Sequence, residues 1–246
     1  MVSNFDGLWL CVNPHLKPFD QRLLHLLNRH AEIRCWEYSQ TADEPCCFEK
    51  AIILLHDYLK QRPQPVHLIG HSLGGTLGLL YANRYPHRVK SLTLLSVGAN
   101  PSVTWHAHYY ALRALLPCSR EMVLAQMVRL LFGAKSPEIT ARLAKCLARV
   151  LDSEIAPHSL VQRNVFDRGG VDAPLLVCHG AQDGILDAHT QAKWQQWLKP
   201  GDRRWQCPEG RHFFHHDRPQ PLSQIVLDFW QHTNQGTHLP LVELLS

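Results

Sequence analysis

An α/β fold with a mostly parallel sheet is predicted by three observations. Short apolar runs alternate with amphipathic stretches of helical length, no segment repeats, and the alternation is broken once by a long stretch without strands. At 246 residues the chain can bury the core of one large domain. Its 45% hydrophobic and 19% charged residues are ordinary globular usage, which excludes a disordered or low-complexity chain.

Leu8-Trp9-Leu10-Cys11-Val12 is a continuous apolar run that stops at Asn13-Pro14, as a buried strand does before a turn. Phe19 to Arg29 repeats leucine at helical spacing, and Ile33-Arg34-Cys35-Trp36 reads as a second strand. Pro45, preceded by Asp43 as a capping candidate, stands near the start of a helix with Ile52, Leu55 and Leu59 on one face. Val66 to Ile69 is the next strand, Leu73 to Arg84 the next helix, and Val89 to Val97 the next strand. Trp105 to Leu116, Arg120 to Phe132 and Pro137 to Leu151 then read as helices in succession. The alternation resumes with a strand at Pro174 to Cys178, a helix around Ala188 to Leu198, a strand at Arg203 to Cys207, and a helix from Pro219 to His232. Thr233 to Ser246 carry no clear signal. Right-handed crossovers then give about six parallel strands flanked by helices. Residues 1–98 and 171–246 are expected to form this core, and 99–170 an all-helical insertion.

The net charge of +4 is too small to announce nucleic acid, and all of it resides in residues 99–170, which hold nine Lys and Arg against five acids. No run reaches the length of a membrane span, and the N-terminus lacks signal-peptide features, so a soluble cytoplasmic protein without stable membrane insertion is expected. Cys11, Cys35 and Cys178 sit in strand-like runs and read as small core residues. His106-x-His108 and His215-His216 lack partners at metal-binding spacing, so no metal is expected.

The strongest chemical signal is Gly70-His71-Ser72-Leu73-Gly74-Gly75, a G-x-S-x-G pattern between a strand and a helix. A serine on so sharp a turn is held in a strained backbone, with its hydroxyl exposed above the sheet and helix N–H groups pointing at it. A serine needs a base, and the base an orienting acid. Asp183 follows the strand ending at Cys178, within His179-Gly180-Ala181-Gln182-Asp183, and His212 follows the last strand within Gly210-Arg211-His212. Both fall beyond carboxyl ends of strands, where catalytic groups of open α/β sheets gather. Asp187 reads instead as a helix N-cap, His215 and His216 as surface or pocket-wall residues, His71 as a packing residue, and Ser96 as a strand-end serine without an elbow.

With these residues in the order Ser72, Asp183, His212, the chain resembles the α/β-hydrolase fold superfamily across both halves of the sheet. The resemblance implies Ser72 as nucleophile, His212 as base and then acid, Asp183 as the group fixing the imidazole tautomer, and the helical insertion as a cap over the serine. It further implies oxyanion donors at the backbone N–H groups of His15 and Leu73, although Asn13-Pro14 replaces the usual His-Gly of that loop. Trp105, Tyr109, Phe132 and Phe213 are the candidates to line the substrate pocket. The activity expected is hydrolysis of a carboxylic ester or thioester through an acyl-enzyme, without a cofactor. A small-molecule substrate with an apolar portion and a negative group is expected from the apolar, basic cap. The serine excludes the aspartate-nucleophile mechanism of dehalogenases. Thr76 stands where menaquinone-pathway members carry an arginine, which weighs against a carbon–carbon lyase or hydrolase. The altered oxyanion loop keeps a non-catalytic scaffold as the rival reading. Cap helices serve as dimer surfaces as readily as lids, so the sequence leaves a homo-oligomer open.

Overall fold

The computed structural model describes residues 5–39, 48–100, 103–152, 170–234 and 243–244. Asp43 and Pro45, along with the charged residues Glu154, Arg163, Asp167 and Arg168 of the insertion, lie outside them. The strands are β1 (Gly7–Cys11), β2 (Ile33–Glu37), β3 (Val66–His71), β4 (Val89–Leu95), β5 (Leu175–Gly180), β6 (Arg203–Cys207) and β7 (Glu243–Leu244). All pair in parallel, in the order β2-β1-β3-β4-β5-β6-β7. Six are the strands expected from the apolar runs. The seventh, two residues long, comes from the tail, where so short a pairing leaves no periodicity to read.

The helices are α1 (Lys17–Leu27), α2 (Phe48–Leu59), α3 (Leu73–Arg84), α4 (Trp105–Leu115), α5 (Arg120–Phe132), α6 (Pro137–Leu151), α7 (Ala188–Ala192), α8 (Phe214–Asp217) and α9 (Pro219–Asn234). Alternation along the strands sends neighbouring side chains to opposite faces. Leu8, Leu10, Leu68, Leu92, Leu94 and Val177 pack with α2 and α3, while Trp9, Ile69, Leu95, Leu176 and Trp205 pack with α1 and α9. Cys11 and Cys178 are buried as expected, but Cys35 is exposed because β2 is the edge strand, where only Ile33 is buried and Trp36 half-buried.

Between β4 and β5, the helices α4, α5 and α6 each begin at a hydroxyl cap. Thr104, Ser119 and Ser136 accept hydrogen bonds from the backbone N–H groups of Ala107, Met122 and Ile139. Gly133, at φ +81°, ends α5 in a backbone conformation that glycine adopts without a Cβ clash. These helices bury their own apolar cluster, including Trp105, Met127, Leu131 and Leu147, against Phe19 of α1, Ile185 and Phe213. That contact seats the helical unit beside the carboxyl edge of the sheet. Among the described residues no helix is long and apolar enough to cross a membrane.

Candidate active site

Ser72 follows β3 and opens α3 with φ 49° and ψ −121°, a strained conformation for a residue with a Cβ. Its N–H donates to the Leu95 carbonyl at 2.9 Å and its own carbonyl accepts from the Thr76 N–H at 2.9 Å, so neighbouring backbone over-determines the turn. A Cβ on Gly74 would run into the Leu10 carbonyl oxygen of β1, and one on Gly70 into the Gly74–Gly75 backbone. The glycines therefore let the elbow press against β1. After β1 the chain moves outward to β2 and then returns to β3 on the other side, so the crevice between the ends of β1 and β3 is the switch point of the sheet.

Asp183 lies in the turn after β5, and its Oδ1 accepts the Ile185 N–H at 2.8 Å and the Leu186 N–H at 3.1 Å. His212 lies after β6 and presents Nδ1 to Asp183 at 2.9 Å from Oδ2 and 3.2 Å from Oδ1. Both side chains are buried. Burial alone would raise the Asp183 carboxyl, but the adjacent His212 and the two backbone N–H groups outweigh it and hold the group at about 2. With the carboxylate accepting from Nδ1, the basic lone pair of His212 belongs on Nε2. That nitrogen is buried and makes no hydrogen bond among the described residues.

The His212 backbone is clamped as well. Its carbonyl accepts from Ser96 Oγ at 2.8 Å and from His71 Nε2 at 3.0 Å. His71 is kept neutral by burial, reinforced by the neighbouring His215 and His212 rings. Ser96 adopts φ 49° like Ser72, a second strained serine at a strand end. Sequence reasoning named both residues and gave neither this task, since the positive φ of Ser96 and the reach to residue 212 leave no local pattern.

The model of the alpha/beta hydrolase fold family matches residues 59–135. An uncharacterized protein of Nostoc sp. is 41% identical over 231 residues, which is 94% of this chain and 92% of the relative. The chain belongs to the α/β-hydrolase fold family. An uncharacterized protein of Synechocystis sp. is 42% identical over 224 residues, covering 91% of this chain and 89% of its own length. Among solved structures, a putative lipase from Acinetobacter baumannii superposes with TM-score 0.73 at 19% identity, covering 94% of this chain and 85% of that one, a likeness of fold.

In this hydrolase-fold chain the crevice beside Ser72 is a cleft with about 30 Å³ of free interior, lined by Asn13, Asp20, His71, Leu73, Trp105 and His106 among others. Of the pocket candidates only Trp105 lines it. Tyr109, Phe132 and Phe213 are instead buried in the apolar cluster of the helical unit, with Phe132 and Phe213 stacked 4.6 Å apart and Phe19 5.1 Å from each. Aromatic stacking wins them for packing. Of the oxyanion candidates Leu73 lines the cleft and His15 does not. His15 is exposed, and its N–H donates to Asn13 Oδ1 at 3.0 Å because Asn13 caps the 3-10 turn Pro14–Leu16. From that loop Val12, Asn13 and Leu16 line the cleft, and Asn13 is the one with a polar side chain.

The rivals also find places. Asp187 caps α7, with Oδ1 accepting the Thr190 N–H at 2.7 Å. His215 is wholly buried rather than at the surface, its Nε2 3.2 Å from Asp20 Oδ1. The His106 ring lies tilted against Trp105 with centroids 3.7 Å apart, while His108 turns back to the Thr104 carbonyl at 3.1 Å. Among the described residues no group of three or more His, Cys, Asp or Glu could hold a metal ion. The cations Arg120, Lys135 and Lys145 line a separate groove between α5 and α6, and among the described residues no Lys or Arg lines the cleft beside Ser72.

Proposed function

We propose that the protein is a serine hydrolase that cleaves a carboxylic ester or thioester through an acyl-enzyme intermediate. Ser72 Oγ attacks the carbonyl carbon while His212 Nε2 takes the hydroxyl proton. Asp183 holds the Nδ1–H tautomer and balances the imidazolium that forms. The Leu73 N–H, at the start of α3, stabilises the oxyanion, and Asn13, which lines the cleft beside Val12 and Leu16, supplies a second donor. His212 then protonates the leaving alcohol or thiol. Water, deprotonated by the same nitrogen, attacks the acyl carbon, releases the acid and restores Ser72. No cofactor takes part in this sequence.

The observation that carries the reading is the buried Asp183–His212 pair, with its carbonyl clamp, at the edge of the sheet where the strained Ser72 sits. A carbon–carbon lyase finds no support at Thr76, whose hydroxyl donates to the Ser72 carbonyl at 3.3 Å.

The test is labelling with a fluorophosphonate probe. The expected result is a single adduct on Ser72, absent in Ser72→Ala and His212→Ala proteins that melt at the wild-type temperature. A wild-type protein that stays unlabelled would overturn the reading in favour of a scaffold. We further propose that residues 99–170 act as the cap and the remainder as the hydrolase core.

A further inference from the structure

Asp20, on α1, is the one carboxyl in the wall of the Ser72 cleft among the described residues, and the proposed chemistry does not use it. Its Oδ2 accepts the indole N–H of Trp9 at 2.9 Å, and its Oδ1 accepts from His215 Nε2 at 3.2 Å. Burial keeps His215 neutral, its value pushed down to about 3, so neither donor brings a charge. Each carboxylate oxygen can accept two hydrogen bonds, and two neutral donors leave capacity on both.

Asp202 shows what a carboxyl with a structural task looks like in this fold. It is equally buried, but it takes the Leu175 N–H, the Lys199 N–H and the Lys199 ammonium at 2.8–3.0 Å. Among the described residues no such cation stands against Asp20. Its burial, opposed by the Trp9 hydrogen bond and the more distant His216 and Lys17, raises it to about 7. The cleft wall thus presents an under-satisfied acceptor to whatever occupies the space beside Ser72.

We propose that Asp20 determines specificity: it accepts a hydrogen bond from a hydroxyl or amino group that the substrate carries near the scissile carbonyl, and it bars substrates that place a negative charge there. The proposal rests on the serine-hydrolase reading and narrows its substrate class. It replaces the anionic group expected from the basic cap, whose cations Arg120, Lys135 and Lys145 stand at the other groove. The titratable groups facing Asp20 are Lys17 on its own helix, Cys11 of β1, Cys35 of β2, His71 at the end of β3, His106 of α4, and His215 with His216 of α8.

The experiment compares phenyl esters of 3-hydroxybutyrate, its isostere 3-methylbutyrate, and succinate, whose free carboxylate stays charged above about pH 5.5. Wild-type kcat/KM should rank hydroxyl above methyl above carboxylate, with about tenfold or more between the last two, because a like charge beside a desolvated carboxylate is costly. The methyl-to-carboxylate ratio should grow from about pH 5.5 to about pH 8.5 as Asp20 ionises, and groups acting equally on both esters cancel from it. In Asp20→Asn the three should converge to within about threefold. Binding to Ser72→Ala, read from the ligand-induced shift in melting temperature, should follow the wild-type rank without any turnover. A hydroxyl ester no better than the methyl one, a ratio flat with pH, an unchanged ratio in a folded Asp20→Asn, or no binding to Ser72→Ala each overturns the proposal. If Asp20→Asn does not fold, the wild-type pH dependence decides. If the wild type hydrolyses none of the esters, the binding rank still decides the role of Asp20, and fluorophosphonate labelling decides the serine-hydrolase reading separately.

Discussion

Asp183→Asn is the substitution whose consequences can be worked furthest. The asparagine can keep its oxygen on the Ile185 and Leu186 N–H groups, which turns its NH₂ toward His212 Nδ1. The ring must then accept at Nδ1 and carry its proton on Nε2, which removes the base, and the rate should fall about 10⁴-fold. Stability changes as well. The carboxyl lies at about 2 in the folded protein against an ordinary 3.8, nearly two units, or about 2 kcal/mol at pH 7 for a group this well shielded from solvent. Because the folded value is depressed, that contribution is complete well above pH 4, roughly halved at about pH 3, and lost as pH falls through about 2. The assays are the second-order rate of Ser72 labelling by fluorophosphonate and urea unfolding of both proteins at neutral and acid pH. A labelling rate within about tenfold of wild type would refute the catalytic half of the reasoning. A stability gap that does not narrow between pH 7 and about pH 3 would refute the electrostatic half.

Ser96→Ala removes the 2.8 Å bond to the His212 carbonyl and leaves His71 as its remaining donor. It should cost about 1 kcal/mol in urea unfolding and slow labelling while the labelling pH profile keeps its shape. Asn13→Ala removes the cap on the His15 N–H, costing about 1 kcal/mol, and should slow acylation about 10²-fold. His15→Ala, which keeps the backbone N–H, should leave acylation near wild type, and equal loss in both would bring the His15 imidazole into the oxyanion hole. Gly74→Ala drives a Cβ into the Leu10 carbonyl oxygen, so the melting temperature should drop, whereas Gly→Ala in an exposed helix would raise it.

The elements that were legible in the sequence are those whose cause is local. Arg120–Phe132 and Pro137–Leu151 were bounded to the residue because Ser119 and Ser136 cap them and Gly133 stops the first. The elbow at Ser72 was legible for a similar reason, since strand, turn and helix follow one another within a few residues. The Glu243–Leu244 strand was not, because its parallel pairing with Arg204 and Trp205 is made by a distant partner rather than by its own pattern.

Chemistry divides along the same line. Ser72, Asp183 and His212 could be nominated from the sequence because each sits just past a strand end, and chain order then suffices to suggest their company. Which neighbours hold them could not be read. The Ser96 and His71 bonds to the His212 carbonyl span 116 and 141 residues, and the Asp20 contact with His215 spans 195. Phe132 and Phe213 would have served equally well as pocket walls by composition, and only the stacking of α5 against the loop after β6 assigns them to packing. Local rules determine backbone conformation and the type of side chain at a turn. Burial, the company of a carboxyl and the fate of a backbone N–H depend on where the folded sheet brings distant loops together, and there the tertiary structure decided.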